Sequence, residues 1–237
     1  MLLLDGGDSL FKGSETTAPV ISDQGAIVVE AMNAMRYDAM ALGRRDLEAP
    51  AAVVRARFEE AQFPILSANV DPAGLLPNVQ PYLLRQVDGH TIAIIGATSE
   101  TVERRFQALG VDLTVENAVD SVQRAAGEVR GKADIIIVLS NLQREESERL
   151  AQAVPGIDVV VDVYRGSWFA PSAVEGVEGQ VVLHASGTLG EYLGVLSVHF
   201  DAQGQVVSFE GYASPLTLEY GDDLEIVEIM RKHARQQ

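Results

Sequence analysis

The chain contains no cysteine, which excludes disulfides, thiolate chemistry and cysteine-bound zinc or iron–sulfur sites. It has few basic residues, 18 against 34 acidic ones, and its net charge is −16. A surface this acidic repels nucleic-acid backbones and anionic lipids. We therefore expect neither nucleic acid nor a membrane surface as a partner. No apolar run approaches the ~20 residues of a membrane-spanning helix. The N-terminal MLLLDGGD lacks the basic region that begins a signal peptide.

The sequence also lacks any linker rich in proline, glycine or serine and any tandem repeat. Its 237 residues, of which 47% are hydrophobic, suffice to bury a sizeable core. We therefore expect a single domain over residues 1–237.

Strands alternate with helices along most of the chain, and the C-terminal part is rich in strands. Three- and four-residue apolar spacing and charged surface patterns predict helices over 21–35, 50–61, 115–129, 144–154 and 222–233. Short apolar runs predict strands over 1–4, 38–42, 64–70, 133–140, 157–163 and 179–187, with hairpins over 81–98 and 192–216. The alternation predicts a layered α/β fold with helices outside the sheets.

Polar residues follow four of these strands. The segments are DGGDS, GRRDLE, SNLQ and DVYRGS. Loops after neighbouring strands can meet at one sheet edge, so these segments predict a cleft without identifying its ligand. The most unusual of them places Arg44 and Arg45 directly after a strand and a glycine in a very acidic chain.

Nearly the whole chain resembles, in order, the N-terminal domain of 5'-nucleotidases of the calcineurin-like metallophosphoesterase family. The resemblance is carried by the segments LLLDGGDSLFKGS, VEAMNAMRYDAMALGRRDLE, FPILSANV, ADIIIVLSNLQREESERLAQAVPGIDVVVDVYRGS and LGEYLGVLSVHFDAQGQVVSFEG. It implies a four-layer α/β/β/α sandwich of the metallo-dependent phosphatase type. In that family two divalent metals clamp a phosphate and activate a water.

The family's metal and catalytic positions hold other residues in this sequence. Asp8 matches the bridging aspartate. The degenerate positions are Arg44 for the metal-binding asparagine, Arg45 for the catalytic histidine, Asn141 for the third-block histidine, and Tyr164 and Gly166 for the last two histidines. The histidines that are present match no ligand position: His90, His184, His199 and His233.

The substitutions predict a chain that has lost its dimetal chemistry. Arginine offers no lone pair and carries a fixed positive charge, so it cannot ligate a metal. We therefore expect no catalytic residue and no cofactor, with a binding or scaffold role. The alternative is a metal-dependent phosphoesterase with non-standard ligation, in which Asp8 and Asn141 would hold Mn or Zn.

Two roles for the arginine pair follow. Arg44 and Arg45 could bind a small anion weakly, or one of them could form an ion pair with Asp8. We favour the ion pair. A protein partner is an equally open expectation.

The resemblance further implies that the family's Asp-x-His block and first strand are absent, as is its C-terminal nucleotide-recognition domain. A missing first strand would leave an unpaired sheet edge. We expect either a rearranged edge or a homodimer that covers it. Members of the family are often periplasmic or extracellular, and the sequence does not indicate the compartment of this chain.

Overall fold

A computed structural model describes residues 1–11, 25–71, 76–108, 114–162, 168–177, 181–186 and 191–235. The helices are α1 (Ala26–Ala34), α2 (Ala51–Glu60), α3 (Glu103–Ala108), α4 (Ala118–Val129), α5 (Arg144–Ala153) and α6 (Leu224–Ala234). The strands in the first half of the chain are β1 (Leu4–Asp5), β2 (Ala39–Ala41), β3 (Ile65–Leu66), β4 (Val79–Gln80), β5 (Tyr82–Val87) and β6 (His90–Thr98). The later strands are β7 (Ile135–Asn141), β8 (Val159–Asp162), β9 (Trp168–Ala173), β10 (Val182–Ser186), β11 (Tyr192–Phe200) and β12 (Val206–Pro215).

Two sheets form the centre of the fold. The first is parallel, in the order β1-β2-β3-β4. The second has the order β5-β6-β7-β8-β10-β9, with a parallel centre and an antiparallel strand at each edge. Strands β11 and β12 form a separate antiparallel hairpin.

The apolar core lies in three layers. Between the sheets, Ala41 and Leu66 of the first sheet share a cluster with Ile94 and Leu139 of the second. Outside the first sheet, α1 and α2 supply the buried Val29, Met32, Val54 and Phe58. Outside the second sheet, α4 and α5 pack on alternate residues of β6 and β7. This confirms the predicted α/β/β/α sandwich.

Most predicted elements are present, and the hairpin turn is confirmed. Asp88 and Gly89 link β5 to β6 with φ of 50° and 87°, the left-handed pair that a tight two-residue hairpin needs. None of the helices in the described ranges is long and apolar enough to cross a bilayer.

Several predictions need correction. The first strand spans Leu4–Asp5 rather than residues 1–4, and it is half-buried at the edge of its sheet. Strand β9 was not predicted, since its sequence WFAPSA contains a proline, which edge strands tolerate. The predicted start of the first helix at residues 21–24 lies outside the described residues.

Candidate functional site

Three of the four predicted loops meet where β1, β2 and β7 end. Gly43, just after β2, marks the meeting point. A Cβ atom on Gly43 would lie 2.5 Å from Asp8 Oδ1 and 2.8 Å from Asn141 Nδ2, so only a glycine lets these side chains approach. The Asn141 amide donates to the carbonyl of Gly6 at 2.9 Å, which ties β7 to the loop after β1. The structure therefore brings Asp8 and Asn141 together at Gly43, which directly precedes the arginine pair.

The centre of the site is Asp46, which the sequence analysis did not single out. Its side chain is fully buried. Oδ2 accepts the backbone N–H groups of Asp8 and Gly43, each at 2.8 Å. Oδ1 accepts those of Ser9 and Leu10, at 2.8 and 2.9 Å. One carboxylate thus holds the loop after β1 against the loop after β2, and both of its oxygens are engaged.

Burial raises the pKa of the Asp46 carboxyl to about 7. The N–H groups of Leu10 and Asp8 act against this, and the neighbouring charges of Asp8 and Asp5 add to it. The pKa of Asp5 is also raised, mainly by burial, although the Gly7 N–H and the Ser9 hydroxyl both donate to it. Three carboxyl groups therefore crowd this end of the first sheet.

The arginines do not neutralise Asp8 in the way the sequence suggested. The backbone N–H of Arg45 donates to Asp8 Oδ1 at 2.7 Å. The Arg44 guanidinium instead forms an ion pair with Glu48, one helical turn further on. The prediction that a guanidinium pairs with Asp8 is therefore wrong. It fails because residues 45–47 form a 3-10 turn that points the Arg45 amide, rather than its side chain, at Asp8.

The second guanidinium has a different environment. Arg45 Nε is buried and has no hydrogen-bond partner among the described residues. Glu48 Oε2 is likewise buried and has no hydrogen-bond partner among the described residues. Of the two predicted anion-binding side chains, Arg45 is thus the one without an ion-pair partner in the described part of the chain.

A second polar network, absent from the predicted site residues, lies where β6 ends. The Thr98 hydroxyl donates to the Leu42 carbonyl at 2.9 Å and lies 2.8 Å from Ser67 Oγ, joining the two sheets. Asn69 Oδ1 accepts the N–H of Thr98, and its Nδ2 donates to the Thr98 carbonyl. The segment FPILSANV contains Ser67 and Asn69, and their place after a buried strand was the available signal.

The residues present do not fit a centre for two metals. Asp46 and Asp8 Oδ1 are occupied by N–H donors, and two positions hold guanidinium groups. No group of three or more His, Asp or Glu is arranged to hold a metal ion in the described ranges. The predicted positions Tyr164 and Gly166 lie outside the described residues. The histidines lie where the sequence placed them: His90 in β6, His184 in β10, His199 in β11 and His233 in α6.

Comparison with known proteins identifies relatives along nearly the whole chain. The snake venom 5'-nucleotidase of Crotalus adamanteus is 30% identical over 256 residues, covering 95% of this chain and 41% of that protein. The crystal structure of a 5'-nucleotidase precursor from Thermus thermophilus matches with a TM-score of 0.84 and 28% identity, covering 99% of this chain and 49% of that one.

A calcineurin-like phosphoesterase, YfkN from Bacillus subtilis, has the same fold, with a TM-score of 0.79 and 20% identity over 99% of this chain and 83% of that one. No protein-family model matches the chain. The chain spans less than half the length of the 5'-nucleotidases it resembles.

Proposed function

This chain is homologous to 5'-nucleotidases and metallophosphoesterases over nearly its whole length, and we propose that it is a non-catalytic relative that binds a ligand or partner. In this proposal the dimetal centre is replaced by an assembly of arginine and aspartate. The fold is kept, and the loops after β1 and β2 hydrogen-bond to each other instead of binding a metal.

The observation that carries the proposal is the environment of Asp8, the one position that keeps a metal ligand of the family. A metal-bridging carboxylate must direct its lone pairs at the metals. Here the Arg45 N–H donates to Asp8 Oδ1 at 2.7 Å, and in the described ranges no group of three or more His, Asp or Glu stands around it to complete a metal site. The guanidinium groups of Arg44 and Arg45 would also repel a cation.

Metal content and phosphatase activity test this proposal together. The protein would be incubated with manganese and zinc, desalted, and analysed for metal, with p-nitrophenyl phosphate and AMP as substrates. We expect no retained metal and no turnover above background. About two metals per chain with turnover that is lost in Asp8→Asn would instead establish a working phosphoesterase.

One observation favours that second candidate. No described group hydrogen-bonds to Asp8 Oδ2 or to Asn141 Oδ1, and both side chains border Gly43. These two oxygens are the atoms through which a phosphoesterase with non-standard ligation would hold Mn or Zn. An Asn141→Ala variant that loses metal but keeps its fold would support it.

We also propose that Arg45, rather than Arg44, binds small anions weakly at this site. Arg44 is engaged by Glu48, whereas the Arg45 guanidinium has a buried Nε without a partner in the described residues. Asp5 and Asp8 oppose an anion here, so binding should be weak. Calorimetry with inorganic phosphate should show binding that is lost in Arg45→Ala and kept in Arg44→Ala. Equal loss in both variants would contradict the assignment.

A further inference from the structure

The C-terminal hairpin and the segment after it expose an unusual number of large apolar side chains. The described residues contain twelve large apolar side chains that are exposed, and nine of them lie between residues 192 and 230. No residue of β11 or β12 is fully buried. Scattered exposed apolar residues are normal, but a concentration of this kind in one region indicates an interaction surface.

Strand pairing shows that part of this set lies on one face. Leu193 pairs with Ser214, and Val195 pairs with Tyr212, so these side chains share one face of the hairpin. The opposite face packs on the second sheet, where a Cβ on Gly211 would lie 3.0 Å from Pro171. Tyr212 therefore points away from the rest of the fold and is 58% exposed.

The segment after β12 extends the same face. The Tyr220 hydroxyl hydrogen-bonds to Ser214 Oγ at 2.8 Å, which brings this ring to the strand pair. The Leu216 N–H donates to the Glu191 carbonyl at 2.8 Å. An open groove runs along residues 216–220 and Asp222. We call the set Leu193, Tyr212, Leu216, Leu218 and Tyr220 the C-terminal face.

The charged residues of the hairpin and of the segment after it have one sign. Residues 191–222 contain five Asp and Glu and no Lys or Arg. Glu210 lies on the strand face of Tyr212, and Glu219 and Asp222 line the groove. A second copy of the chain would bring the same acidic side chains against these, and like charges brought together across an interface oppose association.

We propose that the C-terminal face binds a basic segment of a partner protein that carries apolar side chains. The apolar residues of the face supply the burial, and the acidic residues around it pair with lysine or arginine of the partner. The proposal uses no residue of the candidate site, so it holds whether or not that site is catalytic.

Fluorescence anisotropy with a labelled peptide of alternating leucine and lysine tests the proposal. A peptide of alternating serine and lysine has the same charge and controls for net charge alone. We expect the leucine–lysine peptide to bind at least about tenfold more tightly. Equal binding of both peptides to this acidic chain would mean attraction by net charge only and would overturn the proposal.

Matched variants locate the binding. Tyr212→Ser with Leu218→Ser should weaken binding about tenfold, while Met35→Ser with Leu84→Ser, also exposed but elsewhere, should not. Glu210→Lys with Glu219→Lys should weaken binding more than Glu128→Lys with Glu145→Lys, two exposed acids on other elements. Leu218 is fully exposed, so its replacement removes no buried contact.

Two results would assign the face to another occupant and refute the proposal. One is a homodimer in light scattering that Tyr212→Ser with Leu218→Ser dissociates. The other is protection of residues 191–230 from hydrogen exchange by further parts of the same polypeptide. In either case the leucine–lysine peptide should fail to displace that occupant from the C-terminal face.

Discussion

At the scale of single residues, Asp46 is the side chain on which the geometry of the candidate site most depends. It accepts two backbone N–H groups on each oxygen and connects the loops after β1 and β2. The sequence offered only an acid following two arginines, and the resemblance directed attention to the arginines. A buried carboxylate with four backbone donors can be recognised only once both loops are placed.

The substitution Asp46→Asn should destabilise the protein. An amide has a single oxygen acceptor, so in either orientation its nitrogen faces two N–H donors and leaves them unpaired. At a pH above the pKa of about 7, where the Asp46 carboxyl is charged, hydrogen bonds to it are worth about 1.5–3 kcal/mol each. We therefore expect the free energy of unfolding to fall by about 2–4 kcal/mol under those conditions.

Urea denaturation measures this loss, and Asp88→Asn is the matched control. Asp88 lies in an exposed turn with φ of 50°, which asparagine also adopts readily, so its replacement should be neutral. Equal stability of Asp46→Asn and the wild type would show that the four hydrogen bonds contribute nothing measurable.

Asp158 gives a prediction on pH. Burial raises its pKa to about 6, although the Ile136 N–H donates to its Oδ2 at 2.8 Å. A carboxyl whose pKa is higher in the folded state adds stability below its unfolded pKa, near 4, and loses that contribution as the pH rises through the folded value. This part of the free energy of unfolding should thus decline between pH 4 and about 6.

The difference between the wild type and Asp158→Asn isolates that contribution, because the remaining carboxyl groups titrate in both proteins. Asparagine still accepts the Ile136 N–H, so the fold should persist. Denaturation curves at a series of pH values should show the wild type losing stability relative to the variant over this window. A difference that does not depend on pH would contradict the assignment.

At the scale of elements, the two sheets approach each other closely at Gly96 in β6. A Cβ there would lie 2.2 Å from the backbone carbonyl of Leu66 in β3, and the Ala68 N–H donates to the Gly96 carbonyl. This contact places the end of β6, and with it Thr98, against the carboxyl end of the first sheet.

Gly96→Ala should therefore separate the sheets and cost about 3 kcal/mol of stability by overpacking. Gly127→Ala is the control. Gly127 lies inside α4, and a Cβ there meets nothing within 4 Å. Replacing this helical glycine should stabilise the protein by about 0.5–1 kcal/mol. Thermal denaturation of both variants measures the contrast, and losses of equal size would refute the close-approach argument.

At the scale of the whole molecule, the predicted homodimer stays a prediction. Strand β1 is at the edge of the first sheet and is only two residues long, which limits the surface it offers. Two chains of net charge −16 also repel each other, and salt screens that repulsion.

If a dimer covers this edge, the mass measured by light scattering should rise toward twice 25.5 kDa as salt increases from about 20 mM to about 500 mM. Leu4→Pro, which removes a backbone donor from β1, should keep the mass at one chain. A wild-type mass of one chain under all conditions would exclude the dimer.

The sequence by itself determined the layered α/β fold, because the apolar periods of 2 and 3.6 residues fix strands, helices and buried faces locally. It also determined which side chains stand at the loop ends: Asp8, Arg44, Arg45 and Asn141. Only the tertiary structure decided how those groups are used. Asp46 accepts backbone N–H groups, and Arg44 forms an ion pair with Glu48. Asp8 accepts a backbone amide N–H rather than pairing with a guanidinium. The Arg44–Glu48 pair is local, but Asp46 and Asp8 find partners 37 and 38 residues away. The physical reason is that these long-range pairings depend on the meeting of separate loops rather than on any local pattern.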